Sequence, residues 1–352
     1  MNAQAPDFRT ARFKNIAKCA VFLCIFLFIL TILSKLFTPP VGSASSHMQD
    51  TPSGGFYAEP ENTIDVIGIG NSNMANGFSP MELWKQYGYT GYNCGVSAQI
   101  IFNSYTTLSD VFSRQHPKAV ILDADGFFPN SGHMNTFYSF TNGLMARTVP
   151  LVEYHDRWKI LLHPAKLPEL AFNPERGYML NGQIKPFSGN RPKPKSTAKI
   201  DAVTQLQLDM LNHLCEENGA KLIFVYIPTA FSWNQGKHNA IAQYASSRGI
   251  PFFDLNTRTE GFSIDWKTDS RDGGSHLNYY GASRVTAFLG NYLHSHCSIP
   301  DRRGEPDFQH WNQDLSKYEK AVSALRTRPS APKPSAGARL VSPVIRTGSN
   351  IH

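Results

Sequence analysis

Cysteine, charge and internal repetition are all scarce in this sequence, and each absence excludes a class of protein. Five cysteines in 352 residues are too few for a disulfide scaffold, and no C-x-x-C pair is present to hold structural zinc. No segment recurs at a fixed period, which excludes solenoids and collagen-like rods. Charged residues make up 17% of the chain and hydrophobic residues 41%, so the sequence predicts a packed core.

The net charge of +7 comes from the two ends of the chain. Residues 1–18 carry four basic residues against one acid, and residues 326–352 carry five basic residues and no acid. The central part is therefore close to neutral. Nucleic acid is not an expected partner, because a duplex-binding protein needs a basic patch on its folded domain.

An apolar segment near the start of the chain predicts one transmembrane helix. Residues 19–34 carry no charge and lie between Lys18 and Lys35. A helix over 16–37 is roughly 33 Å long, which is enough to cross a bilayer core of roughly 30 Å. Basic residues are concentrated before this helix, and this bias places residues 1–15 in the cytoplasm and the rest of the chain outside the membrane.

A cleaved signal peptide is the alternative interpretation of the same segment. Gly42, Ser43 and Ala44 resemble a small-residue cleavage site. The apolar run is longer than the usual core of a signal peptide. We therefore favour an uncleaved anchor.

Composition divides the rest of the chain into three parts. Residues 38–63 are rich in Pro, Gly, Ser and Thr and predict a stalk. Residues 64–325 predict the folded domain, in which 126–196 break the strand and helix rhythm and predict an insertion or lid. Residues 326–352 have the Pro, Ser and Arg composition of a disordered tail.

The folded domain alternates short apolar runs with longer amphipathic stretches. The runs predict strands at 64–69, 90–94, 118–124, 220–227 and 250–255. The amphipathic stretches predict helices near 80–87, 98–115, 197–218, 237–248 and 279–294, and a last docking helix that ends near Leu325. This alternation predicts an α/β domain with a doubly wound parallel sheet.

Polar residues follow the predicted strands at the edge where open parallel sheets bind their ligands. Ser72 lies in a tight turn after the first strand, and Gly95 follows the second. His276 precedes the predicted helix at 279–294, and Asp272 lies four residues before it. A serine needs an adjacent base to act as a nucleophile, and His276 oriented by Asp272 would supply one.

Four segments resemble the SGNH or GDSL-like serine hydrolases, in the envelope-associated, membrane-anchored branch. They are IDVIGIGNSNMANGFSPMELWKQYG, YNCGVSAQ, HPKAVILDAD and DGGSHLNYYGASRVTAFLGNYL. The resemblance covers roughly 64–325 and implies a three-layer, flavodoxin-like fold. It implies that Ser72 is the nucleophile, His276 the base, Asp272 its orienting acid and Gly95 an oxyanion donor.

Two departures from the family pattern leave roles open. The third block of these enzymes carries an asparagine in a GxND motif, whereas this chain reads Asp-Ala-Asp-Gly at 123–126. The backbone N–H groups of Ser72 and Gly95 are two expected oxyanion donors. The third donor is therefore unassigned, with Asn73 and Asn103 as candidates. The acid and the histidine are separated by three residues instead of two, so Asp254 and Asp269 are reserve candidates for the acid.

The resemblance implies an extracytoplasmic serine esterase or O-acyltransferase that acts on acyl esters of envelope glycans. It implies no cofactor and no metal, and a multi-spanning membrane acyltransferase as a partner. Hydrolysis and transfer share the acyl-serine step, so the residues leave both open. The other hypothesis is a non-catalytic accessory protein that binds glycan through exposed aromatic residues: Trp158, Trp233, Tyr138 and Phe137.

Overall fold

A five-stranded parallel sheet forms the centre of the computed structural model. The structure describes residues 8–38, 52–128, 148–154, 174–189, 197–257 and 259–327, together with Thr141 and Met145. The strands are β1 Val66–Gly70, β2 Gly91–Gly95, β3 Ala119–Asp123, β4 Lys221–Tyr226 and β5 Phe252–Asp254. Their order in the sheet is β2-β1-β3-β4-β5, and every pair is parallel. This is the flavodoxin-like order, and each strand lies within two residues of its predicted bounds.

Helices precede, separate and follow the strands in the part of the chain that the structure describes. They are α1 Phe8–Phe37, α2 Ser72–Gly77, α3 Pro80–Tyr87, α4 Ile101–Phe112, α5 Pro150–Tyr154, α6 Ala202–Glu217, α7 Gln235–Ser247, α8 Tyr279–His296 and α9 Gln309–Thr327. Short 3₁₀ turns occur at Pro52–Ala58, Ala124–Phe127 and Pro306–Phe308. The predicted three-layer α/β architecture is confirmed. The sequence did not predict α2, because six residues are too few to show a helical period.

Successive residues of each strand face opposite sides of the sheet and enter two separate cores. Ile67 and Ile69 pack with α4, α6 and α7 on one face. Val66 and Ile121 pack with α2, α3 and α8 on the other. Both faces are covered, so the strands read as continuous apolar runs. Burying one such side chain contributes about 1.5–3 kcal/mol.

The folded domain begins before the predicted boundary at residue 64. Phe56 is fully buried in the core beside Ile64 and Tyr92, and its ring meets that of Tyr92 edge-on at 6.3 Å. Residues 52–63, which the prediction placed in the stalk, therefore include side chains that pack into the domain core. A short segment without periodicity reveals its burial only through contacts with residues distant in the sequence.

A buried arginine joins the start of the domain to its last helix. Arg176 is fully buried, with its Nε 3.1 Å from Glu59 Oε1 and its Nη2 3.0 Å from Asp314 Oδ2. Its guanidinium carbon lies 4.2 Å from the centre of the Trp311 ring. The Trp311 ring lies 5.3 Å from that of Trp84 in α3, so α9 occupies the position predicted for a docking helix.

Replacing Arg176 by alanine is expected to lower the free energy of unfolding by about 3–5 kcal/mol, because two buried carboxylates lose the buried cation that joins them. Chemical denaturation of the full-length chain in detergent measures the change. The control is Arg303→Ala, since Arg303 pairs with Asp301 where both are half-exposed, and its expected change is within about 0.5 kcal/mol. Equal losses in the two variants would contradict the assignment.

α1 is an apolar helix that is not packed against the domain core. Among the described residues it is the one helix long and apolar enough to cross a membrane, over Lys14–Phe37. Phe22 exposes 70% of its surface and Phe28 exposes 67%, which is unlike the surface of a soluble helix. A membrane anchor and a signal sequence share these properties. Of the predicted insertion at 126–196, the structure describes 126–128, 148–154 and 174–189 with two single residues, and the predicted tail lies outside the described residues after 327.

Candidate active site

The turn after β1 places Ser72 at the carboxyl edge of the sheet. Gly70 ends the strand with a φ of 149°, and a Cβ there would lie 2.7 Å from the Cβ of Asp123, so only glycine fits. Asn71 caps α2, because its Oδ1 accepts the N–H of Asn73 at 2.8 Å. Ser72 is the first residue of α2 and is half-buried. Its hydroxyl is therefore held at a strand-to-helix turn, as the sequence predicts.

A tight loop before α8 carries the acid and the histidine. Asp272 Oδ1 accepts the N–H groups of Ser275 at 3.1 Å and His276 at 2.8 Å. Gly273 and Gly274 have φ angles of 87° and 110°, a backbone region that glycine tolerates. The carboxylate thus organises the loop and holds the imidazole beside it.

Ser72, His276 and Asp272 form a continuous hydrogen-bonded chain. The distance from Ser72 Oγ to His276 Nε2 is 2.9 Å, across 204 positions of sequence. The distance from His276 Nδ1 to Asp272 Oδ2 is 2.6 Å. The side chains of His276 and Asp272 are 24% and 33% exposed, so the site opens to solvent. In this arrangement the imidazole can take the serine proton, and the carboxylate fixes its tautomer and stabilises its charge.

The environment of Asp272 keeps its carboxyl ionised. Burial alone would raise its pKa, but hydrogen bonds from the His276 side chain and backbone, together with the charge of Arg271, outweigh burial and lower the pKa below the usual value. Arg271 Nε is 3.8 Å from Asp272 Oδ2, and its Nη1 donates to Asn76 Oδ1 at 2.6 Å. A charged acceptor therefore faces His276 over the whole physiological range.

Gly95 does not present a free oxyanion donor. Its N–H donates to Asn93 Oδ1 at 2.9 Å. A Cβ at Gly95 would lie 2.5 Å from the backbone nitrogen of Ala75, so this glycine permits close packing of β2 against α2. The N–H of Ser72, at the start of α2, has no partner among the described residues and is available to an oxyanion. The predicted role of Gly95 as an oxyanion donor is therefore not supported, because the side-chain oxygen of Asn93 already accepts its N–H.

The two asparagine candidates lie in different places. Asn73 is buried beside Ser72, and its Nδ2 donates to Asp125 Oδ2 at 3.2 Å. Asn103 is exposed in the first turn of α4, where its backbone oxygen accepts the Thr106 hydroxyl. No contact joins Asn103 to the triad within the part of the chain that the structure describes. Asn73 therefore remains a candidate donor by position, and Asn103 does not.

Asp125 is a site residue that sequence reasoning missed. It follows β3 and accepts hydrogen bonds from Asn71 Nδ2 at 3.0 Å, Asn73 Nδ2 at 3.2 Å and the Tyr226 hydroxyl at 3.0 Å. The carboxylate thus holds the residues on both sides of Ser72. The departure from GxND at 123–126 marked this position as unusual in the sequence. The role of Asp125 could not be predicted from it, because the hydrogen-bond partners come from other strands and helices.

The neighbouring Asp123 differs sharply from Asp125. It is fully buried, and its Oδ1 accepts the N–H of Ile227 at 3.3 Å. Burial, reinforced by the charge of Asp125, raises the pKa of Asp123 well above the usual value. The acceptor that faces the Ser72 turn at this end of β3 is therefore Asp125.

Replacing Asp125 by alanine is expected to lower kcat for ester turnover by about 10²-fold, because the Ser72 turn loses the acceptor that positions it. KM should change little, since Asp125 does not contact the hydrogen-bonded triad. The matched control is Tyr226→Phe, which removes a hydrogen bond to the same carboxylate without touching Asn71 or Asn73. Steady-state kinetics of both variants decide the point, and equal losses of kcat would make the role of Asp125 merely structural.

The reserve acids have other partners. Asp254 Oδ2 lies 2.7 Å from His238 Nδ1 and accepts the indole N–H of Trp233 at 2.6 Å. Asp269 is buried and pairs with Arg284 at 3.1 Å. Neither acid contacts His276, so the proposed reserves are wrong.

The predicted sugar-stacking residues have no demonstrated surface role. Trp233 is half-buried and packs against the core while its N–H holds Asp254. The remaining three lie outside the described residues: Trp158, Tyr138 and Phe137.

Comparisons with known proteins give low-identity likenesses among solved structures. No protein-family model and no curated protein matches the chain. A protein assigned as an acylhydrolase from Bacteroides fragilis is 17% identical, with coverage of 67% of this chain and 90% of that chain and a TM-score of 0.35. A GDSL-like lipase from Bacteroides thetaiotaomicron is 15% identical, with 71% and 98% covered and a TM-score of 0.37. An acetyl xylan esterase from the rumen bacterium Butyrivibrio proteoclasticus is 13% identical, with 67% and 65% covered and a TM-score of 0.31.

The fold and the site together define the class of the protein. A serine, a histidine and an aspartate meet at the carboxyl edge of a parallel sheet with the order 2-1-3-4-5. This is the combination that the resemblance to the SGNH or GDSL-like hydrolases implies. Membership of its membrane-anchored branch stays a prediction.

Proposed function

We propose that this protein is a serine hydrolase of ester bonds that works through an acyl-serine intermediate. The observation that carries the proposal is the unbroken chain of hydrogen bonds from Asp272 through His276 to Ser72. Each member has the chemical form that its role needs: a hydroxyl, an imidazole that can accept its proton, and a carboxylate that stays ionised.

The geometry supports the following steps of the proposed reaction. Ser72 Oγ attacks the carbonyl carbon of the ester while His276 Nε2 takes the hydroxyl proton, and the carbonyl electron pair moves onto oxygen. The N–H of Ser72 stabilises this oxyanion. When the tetrahedral intermediate collapses, the bond to the alcohol oxygen breaks and His276 returns the proton to that oxygen. Water or a second hydroxyl then attacks the acyl-serine with the same base.

The location and the substrate are parts of the same proposal. The apolar helix α1, with basic residues before it, supports an outward-facing domain held at a membrane. The sequence resemblance supports acyl esters of envelope glycans as substrates, and a multi-spanning membrane acyltransferase as a partner. Whether a sugar hydroxyl or water resolves the acyl-serine decides between an O-acyltransferase and an esterase.

A direct test compares two histidines that each pair with an aspartate. The full-length chain in detergent is assayed on 4-nitrophenyl acetate and labelled with an alkyl fluorophosphonate. His276→Ala should lose both ester cleavage and labelling of Ser72, whereas His238→Ala should keep both. Equal activity in the wild type and His276→Ala would favour the non-catalytic accessory protein. Products formed with an added oligosaccharide separate free acetate from transferred acetyl.

A protease that cannot cross membranes tests the location. In spheroplasts that express the full-length chain, it should degrade the domain at 64–325 and leave α1 membrane-bound. A domain that is protected until the membrane is opened would contradict the outward orientation. A domain recovered free in the medium without α1 would identify a cleaved signal peptide.

A further inference from the structure

Three aromatic side chains lie side by side next to the loop of Asp272 and His276, and we call them the aromatic ledge: Phe187, Phe231 and Trp266. The rings of Phe187 and Phe231 have centroids 5.3 Å apart and are nearly perpendicular, at 84°. The rings of Phe187 and Trp266 are 6.1 Å apart at 70°. Edge-to-face pairs of this kind stabilise one another, so the ledge is a formed surface.

Backbone contacts fix the ledge to the triad loop at Gly274. A Cβ at Gly274 would lie 3.0 Å from Phe187 Cδ2 and 2.7 Å from the Cβ of Ala230. Ala230 donates its N–H to the Gly274 oxygen at 2.7 Å, and Phe187 donates to the Trp266 oxygen at 3.0 Å. Two peptide units separate Gly274 from His276, a span of at most about 7.6 Å between Cα atoms. The ledge therefore stands close to the imidazole.

Phe231 is the exposed member of the ledge, and Phe187 and Trp266 are half-buried beneath it. Phe231 exposes 49% of its surface, and Ile184, on the same segment as Phe187, exposes 48%. Trp233, two residues after Phe231, is instead half-buried and hydrogen-bonded. Apolar side chains that stay exposed beside a reactive centre are a surface available to a ligand.

The chemistry of the triad decides which half of an ester reaches this surface. His276 Nε2 returns its proton to the oxygen of the departing alcohol, so the alcohol half must lie on the imidazole side of Ser72. The ledge joins the protein on that side, at Gly274. A substrate group that reaches the ledge would therefore belong to the alcohol half of the ester.

We propose that the aromatic ledge binds the sugar ring whose hydroxyl carries the ester. A pyranose ring has an apolar face of C–H groups that packs on an aromatic ring, and it is directly bonded to the oxygen that His276 protonates. This inference rests on the proposed function. It identifies the substrate as a glycan ester recognised through its alcohol half.

Two acetate esters that share the acyl group and differ in the alcohol test the inference. The full-length chain in detergent is assayed on an O-acetylated methyl glucopyranoside and on ethyl acetate. Phe231→Ala is expected to raise KM for the sugar ester about tenfold and to leave kcat and the kinetics on ethyl acetate unchanged. Phe231→Tyr keeps a ring and should restore the wild-type KM. The matched control is Leu206→Ala, an apolar residue of α6 with 51% exposure, which should change neither substrate.

The outcomes separate this inference from the function beneath it. An unchanged KM for the sugar ester in Phe231→Ala overturns the ledge, and an equal rise for both esters overturns its assignment to the alcohol half. Ser72→Ala is assayed alongside. If that variant cleaves both esters at the wild-type rate, the proposed function itself fails. If it is inactive while Phe231→Ala behaves as wild type, only the ledge is lost.

Discussion

Replacing Ser72 by alanine is expected to lower kcat for ester cleavage by about 10⁴–10⁶-fold. The hydroxyl is the group that forms the acyl bond, and no other hydroxyl lies within hydrogen-bond distance of His276 Nε2 among the described residues. Without it, attack by water on the bound ester is the remaining route. The loss should appear in kcat, because Ser72 bonds to the substrate only as the reaction proceeds.

The experiment measures both turnover and the covalent intermediate. Mass spectrometry after reaction with the fluorophosphonate should find one adduct on the peptide that contains Ser72, and none in Ser72→Ala. Ser283→Ala is the matched control, since that hydroxyl bonds to the Tyr279 oxygen at 2.8 Å within α8, away from the triad. An adduct on a different serine, or turnover by Ser72→Ala at the wild-type rate, would disprove the role of this residue.

The second large effect is expected from Asp272→Asn, with a loss of about 10⁴-fold in kcat. An asparagine keeps the size of the side chain but removes the charge that stabilises the imidazolium and the acceptor that fixes its tautomer. The control is Asp254→Asn, because Asp254 holds His238 at 2.7 Å, close to the 2.6 Å distance in the triad, without contacting Ser72. Turnover per folded molecule should survive that control, whatever its effect on stability. Equal losses of kcat in Asp272→Asn and Asp254→Asn would contradict a specific role for the Asp272–His276 pair.

The lowered pKa of Asp272 gives this variant a pH signature as well. A carboxyl whose pKa is lower in the folded state stabilises the fold above its unfolded pKa, which is about 3.9, and this stabilisation is lost as the pH falls through the folded pKa. Below about pH 4 the wild type should therefore lose unfolding free energy more steeply than Asp272→Asn. Denaturation midpoints measured across pH 2–7 check the slope, and parallel curves would contradict it.

Much of the fold was predictable from local pattern alone. The five apolar runs mark β1 to β5 because strands covered on both faces need apolar residues at every position. The turn at 70–73 and the Gly-Gly loop at 272–276 were recognisable because a parallel sheet brings its carboxyl ends to one edge. Ser72 lies in that turn and His276 lies in that loop. A parallel sheet with both segments at its carboxyl edge was therefore enough to predict that they meet.

Other features depend on contacts that no local pattern encodes. Asp125 becomes a positioning group only because β3 lies beside β1, where Asn71 and Asn73 can reach it. The Gly95 N–H is bonded to Asn93 Oδ1, and the Asn93 amide is itself held by the backbone oxygens of Met74 and Phe78. The reserve acids were indistinguishable from Asp272 by type, and only their partners separate them.

The sequence by itself determined the class of fold, the apolar helix at its start, and the serine and histidine of the triad. Each of these depends on periodicity or on spacing within one or two elements. Tertiary structure alone decided where the domain begins, which acids serve other partners, and that Phe187, Phe231 and Trp266 form one surface. These features join residues tens to hundreds of positions apart, and such contacts exist only once strand order and register have brought the segments together.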